Sequence, residues 1–147
     1  MNAVPMQDVS HSVKGLWHLA LKVTDLNRSQ SFYEALFGMQ VVWQPDPENV
    51  YLSSGQDNLA LHQIPLSEIA QYRQGSGQYL DHLGFIVDSP DTVDRLCRDA
   101  EQAQATIVTR PARHRDGSYS CYLADPDGNT VQVLYEPNIS GAAPGSF

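Results

Sequence analysis

Four side chains in this 147-residue chain are of the types that hold first-row divalent metal ions: His18, His62, His82 and Gln132. Imidazole nitrogens and an amide oxygen are borderline donors, and together they make a plausible ligand shell for Zn²⁺, Fe²⁺, Co²⁺, Ni²⁺ or Mn²⁺. The shell would be uncharged. It leaves the +2 of the ion uncompensated, disfavours Mg²⁺ and Ca²⁺, and favours an anionic group in an open position. The competing reading of each histidine taken singly is a packed or capped side chain. For the group it is a polar pocket that binds an organic ligand directly.

What links the four is a repeat. Leu16-Trp-His-Leu-Ala-Leu-Lys-Val-Thr-Asp25 and Leu80-Asp-His-Leu-Gly-Phe-Ile-Val-Asp88 are near copies, with His18 and His82 at matching places. His62 and Gln132 each fall on the last apolar run of their copy, and the repeat is expected to make them equivalent. An approximate two-fold axis would then turn all four toward one point. Ala20, Ala60 and Gly84, two residues from a candidate, leave room there. Strand alternation puts His18 on one face with Leu16, Ala20 and Lys22, opposite Trp17, Leu19, Leu21 and Val23.

The positioning elements follow from pattern. After the first strand, Asp25–Asn27 offers capping oxygens for a helix over about 26–37. Phe32, Tyr33, Leu36 and Phe37 form its apolar stripe, and Gly38 ends it. Strands are predicted at 39–43 (broken by Pro45 and Pro47), 50–53 and 58–63. In the second copy, Ser89-Pro90-Asp91 is a strong helix start, and Val93, Leu96, Cys97 and Ala100 follow at helical spacing. Strands follow at 106–109, 118–124 and 130–134. A charged loop is expected over 110–117, and Asp125-Pro-Asp-Gly-Asn129 is a tight turn. The order β-α-β-β-β, twice, predicts an α+β fold: two tandem βαβββ modules forming a curled, barrel-like mixed sheet around one cleft. The expected boundaries are a tail at 1–13, one domain at 14–137 (modules of about 14–64 and 79–137, linker 65–78) and a tail at 138–147.

Composition bounds the partners. A formal charge of −8 argues against nucleic acid or an anionic membrane surface. No run approaches membrane-spanning length, and residues 1–13 contain no signal-like segment. Cys97 and Cys121 fit no CxxC pattern and are read as reduced, buried thiols. A cytoplasmic protein acting on a small molecule is expected.

With these elements in place, the chain resembles the vicinal oxygen chelate superfamily, which includes glyoxalase I, extradiol ring-cleaving dioxygenases, fosfomycin-resistance proteins and metal-free bleomycin-binding proteins. The resemblance covers roughly residues 16–136. It is carried by His18-Leu-Ala-Leu, Asp25-Leu-Asn-Arg-Ser-Gln-Ser-Phe-Tyr33 with Leu36-Phe-Gly-Met39, His82-Leu-Gly-Phe, and Asp125-Pro-Asp-Gly-Asn129 leading to Val131-Gln-Val. It implies metal ligands on the first and last strands of each module, matching His18, His62, His82 and Gln132. Metal-dependent members usually carry glutamate where this chain has Gln132, and glyoxalase I-like members carry a carboxylate at the position of His62. The resemblance to extradiol dioxygenases also implies catalytic roles for Tyr122, ten residues before Gln132, and His114. Two functions are implied: a divalent-metal-dependent enzyme of the glyoxalase or dioxygenase type acting on a substrate chelated through vicinal oxygens, or a non-catalytic antibiotic-binding protein of the bleomycin-resistance type. A third reading, an interaction module with a degenerate pocket, is compatible with the residues. Superfamily members commonly pair, so a homodimer is expected.

Overall fold

Each module opens with a strand whose apolar alternate residues face a helix, and the caps that start the two helices are those the sequence offers. A computed structural model describes residues 13–72 and 78–140. The expected tails at 1–13 and 138–147 lie largely outside the described residues, as do 73–77 of the linker. The first module comprises β1 (His18–Val23), α1 (Leu26–Phe37), β2 (Gln40–Asp46), β3 (Asn49–Ser53) and β4 (Asn58–Gln63). The second comprises β5 (Leu83–Ile86), α2 (Pro90–Gln102), β6 (Thr106–Arg113), β7 (Tyr119–Ala124) and β8 (Thr130–Tyr135). Asp25 caps α1 by accepting from the Arg28 N–H, and Gly38 ends it at φ 63°. Ser89 caps α2 through the Thr92 N–H, with Pro90 at the first turn.

The modules form two four-stranded mixed sheets, ordered β1-β4-β3-β2 and β5-β8-β7-β6. β1 runs parallel to β4 and β5 parallel to β8; the other pairings are antiparallel. The α+β class and the doubled βαβββ order are as the repeat predicts. The two sheets are not closed into a barrel within the chain. Two strands run further than expected: β2 continues through Pro45 and β6 through Pro111. Both are edge strands with register shifts, where a residue without an N–H is tolerated. The loop expected at 110–117 therefore begins only after Arg113. His82 lies just before β5 rather than within it.

α1 joins the two halves. One core gathers Leu21, Val23, Leu26, Tyr33, Val50, Leu52, Leu59 and Leu61 with Val131 of β8; the other sets α2 against β7 and β8 and takes Leu36 from α1. Phe37 stacks on Phe85 at 4.1 Å between ring centroids. Gln63 closes the start of α1, accepting from the Leu26 N–H and donating to the Thr24 carbonyl. Polar ties reach across to the β7–β8 turn. Asp127 accepts from the Thr24 N–H and hydroxyl and pairs with Arg28, while Tyr33 donates to Asp125 at 2.7 Å. Burial pushes the Tyr33 hydroxyl far above its usual range, helped by the Asp125 charge.

Cys97 and Cys121 are free thiols, buried between α2 and β7. Burial pushes the Cys121 thiol up to about 12, with Cys97 beside it adding to the effect. The folded thiol keeps its proton at pH values where an unfolded thiol, near pKa 8.5, has lost it. Stability should therefore fall as pH climbs from about 8.5 toward about 12. Urea midpoints at pH 8 and pH 10 test this. A thiol reagent should leave the folded protein unlabelled at pH 8 and label it once unfolded.

Candidate functional site

Parity decides which faces can hold chemistry. In β1, Leu21 and Val23 turn into the core, and His18, Ala20 and Lys22 turn to the open face. Register extends that face across the first sheet: His18 is opposite Asn58, Ala20 opposite Ala60, Lys22 opposite His62, and His62 opposite Asn49 on β3. Tyr51, opposite Ala60, lies between the two imidazoles. Its ring is 6.3 Å from that of His18 and 5.9 Å from that of His62, with Trp43 at 4.8 Å on its far side.

The second sheet presents the matching face through Gly84, Gln132 and Tyr122, which are register partners in sequence. The Gln132 Nε2 donates to the Tyr122 hydroxyl at 3.0 Å, which leaves Oε1 as the uncommitted end of the amide. That oxygen lies over Gly84: a β-carbon built there would stand 3.4 Å from it. His82 meets Tyr122 edge-to-face, 5.4 Å between ring centroids. His114 reaches the same strand from the β6–β7 loop, its Nε2 2.8 Å from the hydroxyl of buried Ser120, two residues before Tyr122.

The three imidazoles share one arrangement. Nδ1 of His18 is 2.6 Å from Asn58 Oδ1, Nδ1 of His62 is 2.6 Å from Asn49 Oδ1, and Nδ1 of His82 is 2.6 Å from Asp81 Oδ1. An oxygen acceptor requires N–H at Nδ1, so each neutral ring keeps its lone pair on Nε2, the outward nitrogen. This is the tautomer and support that a metal-binding histidine needs. The chemistry of the donors thus fits a divalent transition metal. Within one chain they are divided, with His18 and His62 on the first sheet and His82 and Gln132 beside the second. Among the described residues no three His, Cys, Asp or Glu side chains gather into a metal-binding group.

One expectation needs correction. His62 is not the counterpart of Gln132. Gln132 pairs with Gly84, two residues after His82, whereas His62 pairs with Lys22, four residues after His18. The true counterpart of Gln132 is Ala60, opposite Ala20. His62 keeps the right face, because an even offset preserves parity, but stands one pleat repeat, about 6.6 Å, further along. Sequence reasoning also passed over Asn49, Asn58 and Asp81, the oxygens that orient the rings. Asp81 is adjacent to its histidine and was findable; the two asparagines depend on strand register.

A cavity of about 420 Å³ lies along the free edge of β1, lined in part by Ala20, Lys22, Tyr72, Leu80, Asp127 and Asn129. The Lys22 ammonium donates to the Tyr72 hydroxyl at 2.9 Å, a contact that holds its pKa above the usual lysine value.

This fold belongs to a known class. The family model for the glyoxalase/bleomycin resistance protein/dioxygenase superfamily matches residues 15–133, and the chain belongs to that superfamily. It is 32% identical to the uncharacterized Pseudomonas aeruginosa protein PA2024, covering 82% of this chain and 87% of that one. It is 25% identical to the 1,2-dihydroxynaphthalene dioxygenase of Sphingobium xenophagum over 90% of this chain but only 43% of that enzyme. Among solved structures, a glyoxalase/bleomycin resistance protein/dioxygenase family enzyme from Burkholderia phytofirmans superposes with a TM-score of 0.67 at 25% identity, covering 80% of this chain and 95% of that one. No helix among the described residues is long and apolar enough to cross a membrane.

Proposed function

We propose that the protein is a divalent-metal-dependent enzyme acting on a small substrate that chelates through vicinal oxygens. The observation that carries this reading is the common state of His18, His62 and His82, each with Nδ1 fixed by an oxygen and Nε2 free. His18, His82 and the Oε1 of Gln132 are the residues that would hold the ion. When bound, a divalent ion of this kind polarises substrate oxygens and lowers the pKa of coordinated water.

The other residues have roles that follow from their contacts. The Tyr122 hydroxyl accepts from Gln132, so its own proton is directed elsewhere and can be donated to a substrate oxygen. His62, set back along the strand and with a free Nε2, is suited to take or return a proton. His114, bonded to Ser120, stands at the rim near Tyr122 and can relay charge there.

The two donor sets need to face each other, and a second copy of the chain would supply the missing face. Trp43, Val42, Ile86 and Val108 are more than half exposed, an apolar surface of the kind buried on pairing. A homodimer in which the first sheet of one copy opposes the second sheet of the other is the assembly proposed. The non-catalytic alternative draws on Gln132 itself, since an amide supplies no charge to a metal, and on exposed Trp43 beside Tyr51 as a stacking surface for an antibiotic.

Elemental analysis of protein purified without chelator tests the main reading, with light scattering for the dimer. Retention of a first-row divalent ion is expected. Gln132→Glu should then tighten its binding by about tenfold or more, because it adds a negative charge in direct contact. Failure to retain or take up any of Zn²⁺, Fe²⁺, Co²⁺, Ni²⁺ and Mn²⁺, with tight binding of a cationic antibiotic to the metal-free protein, would replace it with the binding-protein reading.

A further inference from the structure

We propose that Lys22, with Tyr72, is the anchor for a carboxylate on the substrate, which makes the substrate class a small carboxylic acid bearing vicinal oxygens. The inference rests on the metal-site reading for where the vicinal oxygens go, but its own observations are separate. Lys22 is the cation of the β1-edge cavity, and it makes no ion pair within 4 Å among the described residues. Its contacts are the Tyr72 hydroxyl at 2.9 Å and the Tyr72 ring, with the ammonium 5.2 Å from the centroid. Glu68 acts on it only through space. The acidic wall of the cavity does not compete. Asp127 is committed to Thr24 and Arg28, its side chain 5% exposed, and Asn129 donates to Asp125. Thr24 gives its hydroxyl to Asp127 and Gln78 its amide N–H to the Leu80 carbonyl, so the cavity's cationic donor is the Lys22 ammonium, beside one phenol and the apolar surface of Leu19, Leu21, Ile64 and Leu80. An ammonium and a hydroxyl together donate more strongly to an anion than to a neutral acceptor, and the ammonium repels a cation.

The strand register fixes what such a ligand would span. Lys22 lies beside His62 and four residues beyond His18. Between these ends the floor is Ala20 against Ala60, the two smallest side chains of the face, with Tyr51 alongside. From Lys22 to His18 is two pleat repeats, about 13 Å between α-carbons. Lys22 and His18 stand at the two ends of this row, with Ala20 and Ala60 between them. A carboxylate held at Lys22 would carry a ring or short chain across Ala20 and present its far oxygens at His18. The cavity of about 420 Å³ holds the Lys22 and Ala20 end of this row; His18, Ala60 and Tyr51 lie on the open face beyond its lining.

The test uses benzoate, and benzamide as its neutral isostere, titrated into the metal-free protein and followed by amide chemical shifts. Benzoate should bind with shifts at Ala20, Lys22 and Leu80, and benzamide should bind about tenfold or more weaker. Lys22→Met should remove that preference, Tyr72→Phe should reduce it in part, and Arg98→Ala, at an exposed position of α2, should leave it unchanged. Circular dichroism confirms that each variant is folded. Equal binding of benzoate and benzamide, or full benzoate affinity in Lys22→Met, overturns the proposal. So does benzoate binding that appears only after metal is added and survives Lys22→Met, since the ion then holds the anion. The metal-site reading fails separately, on the metal analysis, without affecting these arms.

Discussion

Replacing Asp125 with alanine is expected to destabilise the fold by about 3–5 kcal/mol, measured by urea unfolding, because it removes a buried charge that four donors depend on. Asp125 is 4% exposed. Its Oδ1 accepts from the backbone N–H groups of Asp127 and Asn129, at 3.0 and 2.8 Å. Its Oδ2 accepts from the Tyr33 hydroxyl at 2.7 Å and from Asn129 Nδ2 at 2.9 Å. The first two shape the β7–β8 turn; the third ties that turn to α1 of the other module. Tyr33→Phe removes only that cross-module bond and should cost about 1–2 kcal/mol, since the carboxylate keeps its other partners. The order of the two variants is the critical result. If Tyr33→Phe costs as much as Asp125→Ala, the turn contributes little and the junction alone matters. A cost below about 1 kcal/mol for Asp125→Ala would show that water replaces the carboxylate without loss.

The second large effect is at the proposed metal site, and it separates two histidines that look alike in sequence. His82→Ala should weaken divalent-metal binding by at least about 100-fold, since a lost ligand costs more than a lost supporting group. His62→Ala should weaken it by less than about tenfold, while lowering turnover if the residue handles a proton. The reason is register. His82 stands two residues before Gly84, the partner of Gln132, while His62 stands one repeat past Ala60, the true counterpart of Gln132. Isothermal titration with Zn²⁺ and Mn²⁺ measures both. Equal losses for the two variants would place His62 in the ligand shell after all and refute the register argument. No loss for either would remove the metal reading and leave the binding-protein alternative.

Much of this molecule was legible one residue at a time. α1 is found at 26–37 and β4 at 58–63, as their patterns require, because capping groups and apolar periodicity act over a few residues and need no distant partner. The prolines misled for the opposite reason. Pro45 read as a strand break and Pro111 as part of a charged loop, yet each is accommodated on an edge strand, and being at an edge is a property of the whole sheet. Asp125 read as one residue of a tight turn; that it also receives Tyr33 depends on how the modules meet.

The same division runs through the site. Sequence alone determined the doubled βαβββ order, the face on which His18, Ala20 and Lys22 lie, and the identity of the candidate donors, because strand parity is local and the repeat is visible in the letters. Only the tertiary structure decided the rest. It paired His62 with Lys22 rather than placing it at the position equivalent to Gln132, set Asn58, Asn49 and Asp81 against the three imidazoles, and kept His18 and His82 beside separate sheets. Those are matters of which strand lies next to which and by how many residues it is shifted. A shift of two residues preserves every hydrophobic alternation that a sequence can display, yet moves a side chain by about 6.6 Å, which is enough to take a histidine out of a coordination shell.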